Sequence, residues 1–123
     1  GLVCAAHDIS NGGLLICLAE MILTAHRSGN FGLQIDLAEI KTDLRPDYFL
    51  FSESSGFVLE VRDENVAAVK SLFQEYQVDI HPIGRITDTR RLSITWTDGK
   101  DICTLPVPVM RDTWENALTG VFI

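Results

Sequence analysis

Two short stretches of the sequence concentrate side chains that can do chemistry. The first, "AHDISNGG" at residues 6–13, sets a His-Asp pair ahead of two glycines, and a run of apolar residues follows it directly. Ser10 or Asn11 can cap a helix here, because their side-chain oxygens accept hydrogen bonds from unpaired first-turn amides. Alternatively, Gly12 and Gly13 allow a phosphate or carboxylate to approach the free N–H groups of the helix start. The residues alone leave both interpretations open.

His7 and Asp8 are adjacent, and this limits what they can do together. In an extended strand, neighbouring side chains point to opposite faces, so we do not expect a simple catalytic dyad. A single histidine beside a strand is more often a hydrogen-bonded structural residue than a base or a metal ligand. We predict a positioning role for both residues, with Asp8 as a further acceptor for the helix amides, and we predict no catalytic residue in this chain.

The second stretch is the polar segment Ser52-Glu53-Ser54-Ser55-Gly56, which lies between two apolar runs. Its hydroxyl groups can donate hydrogen bonds, and Glu53 can accept one from an amide or a sugar. This segment can therefore bind a polar ligand. It can equally be a capped turn, since Ser and Gly are common in turns.

Composition limits the class of protein. The chain has 123 residues, 46% of them hydrophobic, with a formal net charge of −7 and a sequence pI near 4.7. This size and composition predict one globular domain with one core, residues 1–123. An acidic surface opposes nucleic-acid binding, which needs cations to displace the counterions of phosphates. We therefore expect no nucleic-acid partner.

The cysteines and the hydropathy of the sequence indicate in which cellular compartment the protein is expected. Cys4, Cys17 and Cys103 are odd in number and lack CxxC or Cys-His ligand spacing, so we predict no metal site and a reducing, cytoplasmic environment. The longest apolar stretch, residues 14–23, is interrupted by Glu20 and is shorter than the roughly 20 residues of a membrane-spanning helix. We expect no membrane partner. The N-terminus lacks a basic region and begins like the middle of a strand, so we expect a fragment of a larger polypeptide.

Periodicity and turn residues predict the elements that position the two stretches. Strands are expected at residues 3–6 (buried), 31–37, 57–61, 80–86, 91–96 and 101–106, the last two forming a hairpin around Asp98-Gly99. Helices are expected at 12–28, ending at Ser28-Gly29-Asn30, from Pro46 onwards, at 63–76 and at 108–118. The third helix should turn Val66, Val69, Leu72 and Phe73 inward. This order predicts an α+β fold with a mixed β-sheet and helices packed on one face.

The motifs resemble a known family. The segments "AHDISNGGLLICLAEM", "LFSESSG", "IGRIT" and "PVPVMRDTWENAL" are similar to the C-terminal domain of the aminoimidazole ribonucleotide synthase superfamily, and they span nearly the whole chain. His7-Asp8-Ile9-Ser10 before Gly12-Gly13, with Ser52-Glu53-Ser54, is most similar to the phosphoribosylformylglycinamidine synthase members. Two positions depart from the family's usual pattern. Asn11 stands where Asp is common, and no Arg follows Ser54 closely, which weakens the case for direct phosphate binding by this loop.

The resemblance implies a purine-biosynthetic ligase. Such an enzyme uses ATP to activate the amide oxygen of formylglycinamide ribonucleotide, and ammonia from glutamine then displaces phosphate to give the amidine. It implies that ATP and magnesium bind mainly to domains absent here, so that the isolated chain is inactive and holds neither. The implied partners are an ATP-handling N-terminal-type domain of the same polypeptide, a glutaminase subunit or domain, and a small phosphorylated ligand. The cleft residues it implies are His7, Asp8, Ser10, Gly12, Gly13, Ser52, Glu53 and Ser54.

Two alternatives stay open at this point. The chain can belong to another member of the superfamily, making aminoimidazole ribonucleotide or selenophosphate. Residues 57–106 can instead form a non-catalytic βαββ module that binds a small molecule.

Overall fold

The computed structural model of the chain describes residues 1–24, 30–117 and 119. The end of the first predicted helix, at residues 25–28, its stop at Ser28-Gly29 and the end of the last helix at Leu118 lie outside the described residues. The strands are β1 (Val3–Asp8), β2 (Gly32–Asp36), β3 (Phe57–Val61), β4 (Gly84–Thr87), β5 (Arg91–Thr95) and β6 (Asp101–Pro106). The helices are α1 (Gly13–Thr24), α2 (Pro46–Phe51), α3 (Val66–Glu75, preceded by a 3₁₀ turn Asp63–Asn65) and α4 (Val107–Asn116).

The chain divides into two compact units. Unit 1 comprises Gly1–Leu18 and Asp47–Pro82, and unit 2 comprises Ala19–Pro46 and Ile83–Ile123. The alternative βαββ module of residues 57–106 is split by this division, because β3 and α3 belong to unit 1 whereas β4, β5 and β6 belong to unit 2. The assignment of residues 1–123 to one C-terminal-type domain stays a prediction.

Unit 1 contains a two-stranded antiparallel sheet of β1 and β3, in which Ala6 pairs with Leu59 and Asp8 with Phe57. The prediction of a buried strand at residues 3–6 is correct for the strand and wrong for its burial, because Val3 to Ala6 are all exposed. Small and apolar residues indicate a strand, but burial requires a covering layer on each face. A strand with a single paired neighbour keeps one edge open.

Unit 2 contains the mixed sheet, with strand order β4-β2-β5-β6. The pairing of β2 with β5 is parallel, and the pairings of β2 with β4 and of β5 with β6 are antiparallel. Leu92 and Ile94 on β5, an inner strand of this sheet, are 0% exposed, and their partners across the parallel pairing are Leu33 and Ile35. The α+β class and the mixed sheet are confirmed, and the packing of helices on one face stays a prediction.

The hairpin of unit 2 follows its turn residues. The Trp96 N–H donates to the Lys100 carbonyl at 2.8 Å, and Gly99 has φ +81. Only glycine adopts such a conformation without a steric cost, so Asp98-Gly99 makes a tight turn between β5 and β6. The predicted hairpin is confirmed.

Two element predictions need correction. The strand predicted at residues 80–86 begins at Gly84 rather than Ile80, because Pro82 has no N–H to donate to a neighbouring strand. On α3, Val69 is buried and Val66 and Phe73 are half-buried, whereas Leu72 is 43% exposed. The inward face of α3 is therefore narrower than its apolar residues predict.

The apolar run after Gly13 forms α1, with Leu14, Cys17, Leu18 and Ile22 buried at helical spacing. Near the helix end, within unit 2, Arg111 Nη1 donates to the Leu23 carbonyl at 3.1 Å. The guanidinium therefore supplies a donor to a main-chain carbonyl of the described part of α1. Among the described residues, no helix is long and apolar enough to cross a membrane.

Candidate functional site

The first polar stretch forms the turn between β1 and α1. β1 ends at Asp8, and Gly12 and Gly13 have φ +83 and +71. These left-handed conformations are costly for residues with a Cβ, so both positions call for glycine. The Gly13 N–H donates to the Ser10 carbonyl at 3.0 Å, so Ser10 serves the turn through its main chain.

Gly13 also permits a close approach of the second stretch. A Cβ at this position would lie 2.6 Å from the Leu50 carbonyl oxygen, 2.6 Å from the Phe51 carbonyl carbon and 2.8 Å from the Ser52 carbonyl oxygen. The chain leaving α2 therefore crosses directly against the start of α1. The close approach that glycine makes possible here is to the protein's own main chain.

Two hydrogen bonds join the stretches on either side of this crossing. The Gly12 N–H donates to Glu53 Oε1 at 3.1 Å, and the Ile9 N–H donates to the Gly56 carbonyl at 2.9 Å. Glu53 thus takes the position that a bound anion would occupy at this amide. The structure brings together the two stretches that the sequence places about forty positions apart. Their lining of a ligand cleft stays a prediction.

The serine hydroxyl groups lie on the outer side of this arrangement. Ser52 Oγ and Ser54 Oγ are 3.2 Å apart and hydrogen-bonded to each other. Ser54 is exposed and Ser52 half-buried, and Ser10 is exposed on the first stretch. A hydroxyl group has one donor and two acceptor lone pairs, so the paired serines keep capacity for a further polar group.

His7 and Asp8 contact each other, contrary to the expectation of opposite faces. The His7 Nδ1–H donates to the Asp8 carbonyl at 2.7 Å, and Nδ1 lies 3.7 Å from Asp8 Oδ1. Asp8 is the last residue of β1, and its side chain is 64% exposed. The Cys17 thiol also donates to the His7 carbonyl, at 3.9 Å. These contacts restrain the orientation of His7 and favour a positioning role.

The electrostatics of unit 1 are unfavourable for anions. The unit has eight Asp and Glu residues but only two cationic side chains of the Lys and Arg type, Arg62 and Lys70, and neither lies in the two stretches. Phosphate sites usually contain such cations or a metal. Among the described residues, no three His, Cys, Asp or Glu side chains cluster as a metal site would require. The two polar stretches of unit 1 therefore lack the Lys or Arg side chains that would pair with a phosphate.

Cys103, in unit 2, is not a candidate nucleophile. Burial raises the pKa of the Cys103 thiol. A thiol with a raised pKa is mostly protonated near neutral pH, and the thiolate is the reactive form.

Comparison with known families assigns the chain. The family described as AIR synthase related protein, C-terminal domain, matches residues 1–97. The chain belongs to this family. The matched range includes both polar stretches and ends just past β5.

Relatives from two organisms carry the name of the same synthase. The "Phosphoribosylformylglycinamidine synthase subunit PurL" of Methanothrix thermoacetophila is 37% identical over 93% of this chain and 14% of its own length. The human "Phosphoribosylformylglycinamidine synthase" is 32% identical over 94% of this chain and 8% of its own length. The chain therefore spans 14% or less of these two relatives.

Solved structures support the same fold. PurL of Thermotoga maritima complexed with ATP matches with a TM-score of 0.74 and 18% identity, over 90% of this chain and 19% of that chain. The same protein complexed with FGAR gives the same TM-score and identity. At this identity the likeness shows the shared fold alone.

The sequence did not predict that Glu53 accepts a hydrogen bond from Gly12, or that Gly13 lies against the main chain of residues 50–52. Two glycines before a helix indicate a close approach, but the sequence does not name the approaching group. The one available signal is that a carboxylate lies in the second polar stretch, where it can accept from an amide.

Proposed function

We propose that this chain is the C-terminal-type domain of a phosphoribosylformylglycinamidine synthase. That ligase uses ATP and glutamine to convert formylglycinamide ribonucleotide into formylglycinamidine ribonucleotide. The observation that carries the proposal is the alignment of relatives with this name over more than nine tenths of the chain at 32–37% identity. The same name in archaea and humans favours this enzyme over the aminoimidazole ribonucleotide and selenophosphate alternatives.

The role proposed for the chain is to shape one wall of a ligand cleft. Ser10, Ser52 and Ser54 offer hydroxyl groups at the surface, and Asp8 offers a carboxylate whose side chain is 64% exposed. Gly12 and Gly13 hold the two stretches close, with Glu53 as the joining side chain and His7 restraining the end of β1. These groups orient the uncharged polar groups of a small phosphorylated ligand by hydrogen bonding and exclude water, and no proton transfer is assigned to them.

The remaining parts of the proposal concern other domains and subunits. ATP and magnesium are assigned mainly to an N-terminal-type domain of the same polypeptide, as the family resemblance implies, and unit 1 has no Lys or Arg in its two polar stretches. Ammonia is assigned to a glutaminase subunit or domain. A cytoplasmic location is proposed because free thiols persist in reducing compartments, and Cys4, Cys17 and Cys103 are free.

The test compares this chain with a longer polypeptide that contains it. We expect the longer polypeptide to form the amidine from formylglycinamide ribonucleotide with ATP and ammonia, as followed by chromatography of the ribonucleotides. The 123-residue chain alone should fold but show no turnover. Turnover by the isolated chain, or formation of selenophosphate or aminoimidazole ribonucleotide by the longer polypeptide, would contradict the proposal.

A further inference from the structure

Asn11 precedes Gly12 in the exposed turn between β1 and α1. The Gly12 nitrogen is the atom that could attack the side-chain carbonyl of Asn11. Glycine has no side chain to hinder that attack. Asn11 is exposed, so water reaches its carboxamide.

The reaction that these two residues can undergo is deamidation through a cyclic imide. Base from the solvent removes the Gly12 N–H proton, and the nitrogen forms a bond to the Asn11 side-chain carbonyl carbon. The C–N bond of the carboxamide then breaks, and the nitrogen leaves as ammonia with a proton from water. Water adds to either carbonyl of the imide, and ring opening gives aspartate or isoaspartate. No oxidant or reductant is needed.

The structure places a restraint on the attacking nitrogen. Its N–H donates to Glu53 Oε1 at 3.1 Å, and a hydrogen bond to a carboxylate stabilises the protonated amide. A negative charge at this distance also disfavours formation of the amide anion. The Ile9–Gly56 hydrogen bond holds the same turn in place from its other side.

We propose that Asn11 is a deamidation site and that the Glu53 carboxylate slows its reaction through the hydrogen bond from Gly12. The inference does not depend on the proposed function. Its products change the turn chemically. Aspartate adds a ninth acidic side chain to the eight of unit 1, and isoaspartate lengthens the main chain between residues 11 and 12 by one carbon. The longer main chain displaces the Gly12 N–H from Glu53.

The chain supplies its own comparison sites. The other asparagines, Asn30, Asn65 and Asn116, are followed by Phe31, Val66 and Ala117 respectively, whose side chains hinder the attack. Asp98-Gly99 can form the same imide by loss of water, but that route leaves the mass of the chain unchanged. Peptide mapping therefore separates Asn11 from every other site.

The test incubates the full chain at mildly alkaline pH and follows each asparagine-containing peptide by mass spectrometry, with an isoaspartate-specific methylation assay as a second readout. The variants are E53Q, which keeps an acceptor without the charge, E53A, which removes both, and E64A, an exposed glutamate of the same unit, as the control. Circular dichroism checks that each variant is folded.

We expect Asn11 to deamidate faster than the other three asparagines in every variant. The rate at Asn11 should rise from the parent chain to E53Q and again to E53A. The total increase should be roughly fivefold, the ratio expected for loss of one net hydrogen bond, and E64A should match the parent chain. In urea the parent chain and E53A should react at equal rates, because unfolding removes the contact.

Equal rates at Asn11 in the folded parent chain, E53Q and E53A, or an Asn11 rate no greater than that of Asn65, would overturn the proposal. The E53Q comparison preserves the test if E53A fails to fold.

Discussion

Glu53 accepts a hydrogen bond from the Gly12 main-chain N–H at 3.1 Å, across 41 positions of sequence. Glu53 therefore provides a carboxylate acceptor, from the protein's own chain, for an amide beside the start of α1. A negative group is favourable there, because the N-terminal end of a helix carries a partial positive charge. Of the two interpretations of this turn, the contact favours a helix start completed by the protein itself over one left open for an anion.

Substituting Gly13 tests the close crossing of the two stretches. We expect Gly13→Ala to lower the free energy of unfolding by roughly 2–4 kcal/mol, since φ is +71 and the new Cβ would meet the Leu50 and Phe51 main chain at 2.6 Å. Urea denaturation followed by circular dichroism measures the loss.

Gly99 provides the matched control for this substitution. It has φ +81, but a Cβ added at this position would have no atom within 4 Å. Gly99→Ala should therefore cost only the conformational part, about 1–2 kcal/mol. Equal losses for the two variants would show that the crossing at Gly13 is less tight than the structure describes.

Removing Arg111 tests its hydrogen bond to the main chain of α1. The Arg111 guanidinium donates to the Leu23 carbonyl, so Arg111→Ala leaves that helix carbonyl without this donor. We expect a loss of about 1 kcal/mol in the free energy of unfolding, and Arg111→Lys should recover part of it. The exposed Arg85 of β4 supplies a control, and Arg85→Ala should change stability by less than about 0.5 kcal/mol. A result in which both alanine variants lose the same stability would count against the Leu23 contact.

Local signals in the sequence predict the elements but not the contacts between distant segments. Pro46 marks the start of α2, and Asp98-Gly99 marks the hairpin turn, because these residues restrict or permit particular backbone conformations at their own positions. The Gly12–Glu53 contact joins segments 41 positions apart, and no local rule specifies it. The same limit applies to Arg111 and Leu23, which are 88 positions apart.

Burial is the property that the sequence predicts least well, because it depends on what covers a face. Val3 to Ala6 have the composition of a buried strand, yet they lie in a two-stranded sheet and are exposed. Phe57, which begins β3, is 74% exposed. The candidate site shows the same difference between what residue types predict and what requires the fold. Its two stretches were predicted from residue types, while their joining by Glu53 required the fold.

Two apolar residues of α3 that differ in burial provide a quantitative test of the exposure of this helix. Val69 is 3% exposed and Leu72 is 43% exposed, although both fit the same apolar pattern. Val69→Ala should lower the free energy of unfolding by about 2 kcal/mol, since it removes two buried carbons and leaves a small cavity. Leu72→Ala removes more carbon but should cost less than about 1 kcal/mol, because water already reaches that side chain. Chemical denaturation of the two variants compares them directly, and a larger loss at Leu72 would mean that this residue is covered in solution.

Thiol labelling tests the environment of the three cysteines. Cys4 is exposed, Cys17 is buried, and burial raises the pKa of the Cys103 thiol. Because only the thiolate reacts with iodoacetamide, a raised pKa lowers the reactive fraction of Cys103 at any pH below that pKa. We expect the exposed Cys4 to be modified faster than the buried Cys17 at neutral pH, and the labelling of Cys103 to increase at a higher pH in the folded chain than in the urea-unfolded chain. Single-cysteine variants followed by mass spectrometry give the labelling of each cysteine separately. Coincident pH profiles for Cys103 in the folded and the unfolded chain would contradict the burial of Cys103.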